Sequence, residues 1–114
     1  MPYLKIETNE RLDEAAAQEL LKKTSAFAAR LLGKPEKWIM VTIYQGKPMI
    51  FDANVQPAAF IELKSIGLAP DTCAKLSAAL CGFLKAELGI EPERVYIEFC
   101  DINGKMFGWN GETF

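Results

Sequence analysis

The 114-residue sequence contains no histidine, and this absence limits the acid–base chemistry open to the protein. Histidine is the only side chain whose ordinary pKa lies between pH 5 and 8. Proton transfer near pH 7 would therefore need an amine, carboxylate, thiol or phenol whose pKa is shifted by its surroundings. A free α-amino group titrates near ~7.7–8.0, so the amino terminus is a candidate for this proton transfer.

The sequence also lacks long apolar runs and blocks of basic residues. No segment approaches the ~18–20 apolar residues that a membrane span needs. The net charge is −2 and the isoelectric point is near 5.2, which argues against nucleic acid as a partner. Residues 2–7 alternate polar and apolar side chains, unlike a signal peptide. We therefore expect a cytoplasmic protein with no membrane or nucleic-acid partner, whose folded part begins at its first residues.

Cysteine is scarce, with only Cys73, Cys81 and Cys100, and no Cys-x-x-Cys pair. An odd number of widely spaced cysteines does not indicate a disulfide framework or a zinc site. We expect reduced thiols that pack as small apolar side chains in a reducing compartment. No metal or cofactor is expected.

The composition, half hydrophobic and one quarter charged, predicts one globular domain over residues 1–114. Within it, residues 29–41 resemble residues 85–97. Both segments run from a helical pattern through Leu-Gly, a proline and a basic residue into an apolar strand. Gly33 and Gly89 suit the left-handed position after a helix. We therefore predict two β-α-β units, at about 1–56 and 57–114.

The hydrophobic periodicity predicts strands at about 3–8, 37–45, 59–65 and 95–100, and helices at about 13–32 and 70–88. Asp13 or Asn9 is expected to cap the first helix. Right-handed crossovers then give an α+β fold, a four-stranded mixed sheet with two antiparallel helices on one face. The other face carries apolar and aromatic residues and is expected to meet another subunit. Residues 48–51 and 105–109 resemble edge strands that could join a neighbour's sheet.

Pro2 follows Met1 directly, and a small second residue usually permits removal of the initiator methionine. A free proline amine would then begin the chain. Burial or a nearby ammonium group would lower its pKa, so that it is unprotonated near neutral pH and able to act as a base. Many proteins begin Met-Pro without such a role, so Pro2 alone is weak evidence for catalysis.

Several short segments form an ordered pattern along the whole chain. They are Met1-Pro2 with Thr8-Asn9, Gly33-Lys34-Pro35, Pro48-Met49-Ile50-Phe51, Pro57-Ala58-Ala59, Leu63-Lys64-Ser65-Ile66-Gly67, Arg94-Val95-Tyr96-Ile97 and Gly108-Trp109-Asn110-Gly111-Glu112-Thr113-Phe114. In this combination the chain resembles the macrophage migration inhibitory factor family of the tautomerase superfamily. The resemblance implies a homotrimer, with sheets inside and helices outside.

The resemblance also implies chemistry: keto–enol tautomerisation of phenylpyruvate, other aromatic α-keto acids or dopachrome-type compounds. Pro2 would be the catalytic base and then the acid. Lys34 would lower the pKa of the amine and attract a substrate carboxylate, while the backbone of Ile66, with Ser65 nearby, would hold an oxygen. Tyr96 of the adjacent subunit would hydrogen-bond the substrate. The apolar walls would be formed by Tyr3, Trp38, Phe107, Trp109 and Phe114.

Structural roles are the alternatives for two of these residues. Lys34 would also complement the dipole of a helix end, and Tyr96 would also suit subunit packing. The sequence departs from the family pattern at three places. Glu98 stands where a site asparagine is found and could repel an anionic substrate unless Lys34 or Lys64 offsets it. Phe107 replaces a smaller aliphatic residue, and residues 58–61 lack the Cys-x-x-Cys of mammalian members, so thiol oxidoreductase activity is not expected.

Two other functions stay open. One is a dehalogenase, hydratase or decarboxylase of the same superfamily, which would need arginines at its site; Arg11, Arg30 and Arg94 are the only ones here. The other is a cytokine-like protein, exported without a signal peptide, that binds a receptor and keeps a weak or vestigial site.

Overall fold

The computed structural model describes residues 1–114. Four strands form the main sheet, and two helices pack on it. The strands are β1 (Pro2–Thr8), β2 (Met40–Tyr44), β3 (Ala59–Ile66) and β4 (Val95–Ile102), and the helices are α1 (Glu14–Leu32) and α2 (Cys73–Leu88). Near the carboxyl terminus, β5 (Gly108–Trp109) pairs antiparallel with β6 (Glu112–Thr113).

The sheet has the order β2-β1-β3-β4 and is mixed. β1 pairs in parallel with β2, and β3 with β4, while the central β1–β3 pair is antiparallel. Each parallel pair is joined through one helix, so the chain consists of two β-α-β units whose helices run antiparallel. The predicted α+β arrangement is confirmed.

The element boundaries depart from the predictions where the chain forms single turns of 3₁₀-helix. Such a turn at Glu36–Trp38 delays β2 to Met40, and another at Pro70–Thr72 delays α2 to Cys73. A third turn, Pro92–Arg94, precedes β4 at the same place in the second unit. Proline suits these turns, because its φ is fixed near the helical value.

The ends of α1 follow local rules. Asp13 caps it, since its carboxylate accepts a hydrogen bond from the N–H of Ala16 at 2.8 Å. Asn9, the other predicted cap, instead accepts a hydrogen bond from the N–H of Ala58 at 2.9 Å and donates to carbonyl groups of the preceding loop. The glycines after the two helices have φ of 63° at Gly33 and 69° at Gly89, as predicted.

The hydrophobic core lies between the helices and one face of the sheet. Alternate residues of β1 and β3 point into it, which gives these strands their two-residue burial period. Its largest fully buried apolar side chains are Leu4, Ile6, Ile61, Leu63, Leu80, Leu84 and Ile90. Each contributes roughly 1.5–3 kcal/mol by leaving water.

The opposite face of the sheet is more charged than predicted. At its centre Glu62 lies 2.9 Å from Lys64 and 3.5 Å from Lys5. Aromatic side chains are concentrated near one end, where Phe60 and Tyr96 are paired neighbours and Tyr96 is 63% exposed. The apolar surface that was expected to meet another subunit is therefore limited to part of this face.

The two predicted edge segments do not extend the main sheet. Residues 48–51 form no strand, and only Phe51 makes an isolated bridge, to Asn54. Residues 104–106 form a 3₁₀ turn, and residues 108–109 pair within their own hairpin. Pairing with a neighbour's sheet stays a prediction.

The three cysteines are free, half-buried thiols. Burial raises the pKa of the Cys81 thiol and thereby lowers its reactivity, and Ser77 offsets this only in part. Neither helix is both long and apolar enough to cross a membrane.

Candidate active site

The amino terminus lies at one end of the sheet, inside a pocket. Pro2 begins β1 and is paired with Ser65 of β3. The side chains of Met1 and Pro2 are both buried. The pocket has a volume of about 440 Å³ and is mainly apolar. Its lining consists of Met1, Pro2, Tyr3, Lys37, Trp38, Ile39, Met40, Lys64, Phe107, Gly108, Trp109 and Phe114.

The side chain of Lys34 contacts the end of β3 that is paired with Pro2. Lys34 follows Gly33, whose left-handed conformation ends α1 and turns the chain back towards the sheet. Its ammonium group donates hydrogen bonds to the hydroxyl of Ser65 at 2.9 Å and to the carbonyl oxygen of Ile66 at 2.8 Å. Since Ser65 is paired with Pro2, the structure brings together four of the predicted site residues. Lys34 therefore makes specific contacts with β3 as well as lying at the end of α1, and its role in a site stays a prediction.

The electrostatic surroundings of the terminus favour an unprotonated amine. Burial is the larger cause that lowers the pKa of the Met1 amine from 8.0, and the positive charge of Lys34 is the second. With Met1 present, the nitrogen of Pro2 is part of a peptide bond and is not basic. Removal of Met1 would move the amine one residue along, to the position opposite Ser65.

Aromatic rings form the outer wall of the pocket. The rings of Trp38 and Trp109 meet edge to face with centroids 4.7 Å apart, and Phe114 lies 5.8 Å from Trp38. The backbone N–H of Phe114 donates to the carbonyls of Gly104 and Phe107, which holds the carboxyl-terminal residue against the wall. All five residues predicted for the walls, Tyr3, Trp38, Phe107, Trp109 and Phe114, line this one pocket.

Tyr96 and Glu98 lie elsewhere in the single chain. Tyr96 is opposite Phe60, five residues before Ser65, which corresponds to about 17 Å along the strand. Its ring packs against Phe51 with centroids 4.7 Å apart. Glu98 is opposite Glu62 on the open face of the sheet. The contribution of Tyr96 to an adjacent subunit's site, and the place of Glu98 in a site, stay predictions.

Two further lysines line the pocket: Lys37, for which no role was predicted, and Lys64, which was expected only to offset the charge of Glu98. Lys64 is paired with Tyr3, next to the pair of Pro2 and Ser65. Knowledge of the antiparallel pairing of β1 with β3 could therefore have identified it. Lys37 precedes Trp38 in the exposed 3₁₀ turn, and its ammonium lies 4.9 Å from the centroid of that ring. No group of three or more cysteine, aspartate or glutamate side chains is arranged to hold a metal ion.

Known proteins match the chain over its full length. Residues 1–114 match the family described as macrophage migration inhibitory factor (MIF). The MIF homologue of Brugia malayi is 37% identical over all of this chain and 99% of its own length, and rat MIF is 35% identical with the same coverage.

Solved structures agree in fold. The homologue from Prochlorococcus marinus has a TM-score of 0.90 at 38% identity and covers 98% of both chains. The MIF structure from Trichinella spiralis has a TM-score of 0.89 at 35% identity, with 98% of this chain and 99% of that chain covered. The chain therefore belongs to the macrophage migration inhibitory factor family and has its tautomerase fold.

Proposed function

We propose that this protein is a keto–enol tautomerase for aromatic α-keto acids such as phenylpyruvate, or for dopachrome-type compounds, with the amine of Pro2 as base and acid. The family to which the chain belongs includes both tautomerases and cytokine-like proteins. One observation carries the proposal. The ammonium of Lys34 is held by Ser65 and Ile66 at the strand end where Ser65 is paired with Pro2, and Pro2 lines a pocket with aromatic walls.

The proton transfer balances without any other reagent. The lone pair of the Pro2 nitrogen takes a proton from the carbon next to the keto group, and the C–H electron pair becomes the C=C bond of the enol. The carbonyl π pair moves to oxygen, which receives the proton back from the prolinium. An amine whose pKa is lowered towards neutrality is suited both to take up this proton and to release it at neutral pH.

Lys34 is suited to hold the substrate carboxylate beside the base. A lysine ammonium has three N–H donors, and two of those of Lys34 are used by Ser65 and Ile66. Those two bonds orient the ammonium, and the third N–H is left for an anion. The aromatic wall would pack against the aryl ring and keep water from the reacting carbon.

We also propose a homotrimer in which Tyr96 reaches the pocket of the adjacent subunit. The support is an apolar depression of about 750 Å³ at the end of the sheet remote from Pro2, lined by residues 48–52 and by Phe60 and Tyr96. Three residues of this lining, Ile50, Phe60 and Tyr96, are exposed in the single chain and together form an apolar patch of the kind that marks protein–protein contacts. Structures of the family are typically oligomeric.

The test combines intact mass with enolisation of phenylpyruvate on the same sample. We expect a mass lower by one methionine, and a fall in kcat/KM of about 10²–10⁴ in Pro2→Gly. A matched control carries one alanine inserted between Met1 and Pro2, which keeps the proline ring but makes its nitrogen an amide. It should be as inactive as Pro2→Gly. Full activity of either variant would overturn the assignment of Pro2 as the base.

The alternative is a cytokine-like, receptor-binding protein with a weak or vestigial site. Its support is the family, which includes such roles, and no surface of this chain singles out a receptor. A correctly processed protein without turnover, whose receptor binding is unchanged by Pro2→Gly, would favour it. A cytoplasmic location, with export in the absence of a signal peptide, stays a prediction.

A further inference from the structure

We propose that the preferred substrate carries a second anionic group, which Lys37 and Lys64 bind in the pocket with aromatic walls. The inference rests on the proposed tautomerase function, because it concerns the same pocket. The observation that carries it is the charge of the lining, which contains two lysines and no aspartate or glutamate. The chain as a whole has more acidic than basic residues, so this local excess of positive charge is not a property of the average surface.

Lys64 is held in place on the strand next to the catalytic end. Its ammonium lies 2.9 Å from Glu62, which orients the side chain, and this ion pair raises the pKa of Lys64. Glu62 also lies 3.5 Å from Lys5 and therefore serves two ammonium groups. Its charge offsets that of Lys64 only in part, and the side chain of Lys64 is 38% exposed and within reach of a ligand.

Lys37 is oriented by an aromatic ring instead of a carboxylate. Its ammonium lies over the ring of Trp38, which is a wall of the pocket, and it forms no ion pair. A cation over an aromatic face is attracted by the ring electrons while its remaining N–H groups stay free. The charge of Lys37 is therefore available to an anion on the substrate.

The site contains three lysines in two groups. Lys34 donates a hydrogen bond to Ser65, which is paired with Pro2, while Lys37 and Lys64 line the aromatic pocket that contains Pro2. An α-keto acid with an aromatic ring and a carboxylate on that ring would use all three lysines: the keto-acid carboxylate at Lys34, and the ring carboxylate at Lys37 and Lys64. The family resemblance implies that Glu98 lies near the site, where its one carboxylate would offset one of these two lysines and leave the other.

The experiment compares kcat/KM for phenylpyruvate and for 4-carboxyphenylpyruvate with the processed protein at low salt. Partly exposed ion pairs are weak, so two of them predict about a 3- to 10-fold preference for the second compound. The preference should shrink as salt is added, because screening weakens exposed charge pairs. The double variant Lys37→Gln/Lys64→Gln should bring the ratio of the two kcat/KM values close to one.

A control with the same change in net charge is Lys22→Gln/Lys75→Gln, whose substitutions lie on the helices and should keep the preference. If Lys64→Gln disturbs the ion-pair cluster and folding, Lys37→Gln alone should still reduce the preference. Equal or better turnover of phenylpyruvate would overturn this inference and leave the tautomerase intact. A preference that survives the double variant would also overturn it. Failure to process either compound would instead count against the proposed function.

Discussion

The two β-α-β units contain the same connection from helix to strand, at opposite ends of the sheet. The first unit uses this connection in the candidate site and the second uses it in the core. Each helix ends at a left-handed glycine, and a one-turn 3₁₀-helix leads into a parallel strand. After Gly33 comes Lys34, whose ammonium serves Ser65. After Gly89 comes Ile90, which is fully buried in the core. At the same position, the lysine of the first unit therefore belongs to a candidate site, whereas the isoleucine of the second unit belongs to the core.

The last residue of the 3₁₀ turn shows the same contrast. Trp38 lines the pocket in the first unit, whereas Arg94 is buried in the second. The guanidinium of Arg94 donates to the carbonyl oxygens of Pro57 at 2.9 Å and Phe51 at 3.1 Å, and to two further carbonyls of the same loop. It also lies over the ring of Phe51. The second unit thus uses this position to hold the loop at 51–57 in place.

The largest expected effect comes from removing the Arg94 guanidinium. Arg94→Met should lower the free energy of unfolding by about 3 kcal/mol, because four partly buried carbonyl groups lose their charged donor together. Urea denaturation at one fixed protein concentration measures it, since subunit association also contributes to stability.

The control for Arg94 is Arg30→Met, which removes an exposed arginine from the last turn of α1. Its effect should stay within about 0.5 kcal/mol. If Arg94→Met cost no more than this control, the loop at 51–57 would not depend on the guanidinium, and the contrast between the two units would be lost.

At the equivalent end of the first unit, the expected loss is in activity. Lys34→Gln should reduce kcat/KM for phenylpyruvate by about 10- to 100-fold, since a charged hydrogen bond to the substrate carboxylate is worth ~1.5–3 kcal/mol. The amide can still donate to Ser65, so the free energy of unfolding should change by less than about 1 kcal/mol. A loss of stability without loss of activity would assign Lys34 to the structural class of Arg94.

The pH dependence of kcat/KM in Lys34→Gln tests whether the charge of Lys34 lowers the pKa of the amine. Burial is the main cause of the lowered pKa of the Met1 amine and Lys34 is the second, and the Pro2 amine of the processed chain would lie in the same surroundings. Removing the lysine charge should therefore raise the pKa of the Pro2 amine, and the acid limb of the kcat/KM profile should move to higher pH. Lys34→Arg keeps the charge and should leave the limb in place. Equal profiles for the Gln and Arg variants would contradict an electrostatic role.

The sequence predicted the two β-α-β units and their glycines, whereas the contacts between distant segments could not be predicted from it for a physical reason. Gly33 and Gly89 were recognisable because their signals are local, and the periodicity of both helices gave the β-α-β units. The contact of Lys34 with Ser65 spans 31 residues and depends on the antiparallel β1–β3 pairing, which no local pattern specifies. Only the family resemblance predicted that both belong to one site. Lys37 was missed, and Lys64 was expected only to offset the charge of Glu98. The role of Tyr96 depends on a second chain, so a single sequence does not determine its position.

The smallest effects on stability should come from Gly33→Ala and Gly89→Ala, because the two units are most alike at these glycines. A Cβ at Gly33 or at Gly89 would meet no atom within 4 Å, so alanine would cost only the strain of a positive φ, about 1 kcal/mol at each site. The two sites are far apart in the fold, and the double variant should lose about 2 kcal/mol in urea denaturation. Activity should separate them, because Gly33→Ala disturbs the turn that carries Lys34 while Gly89→Ala disturbs only Ile90. Equal losses of kcat/KM in both variants would mean that the site responds to general stability and not to the geometry of the first unit.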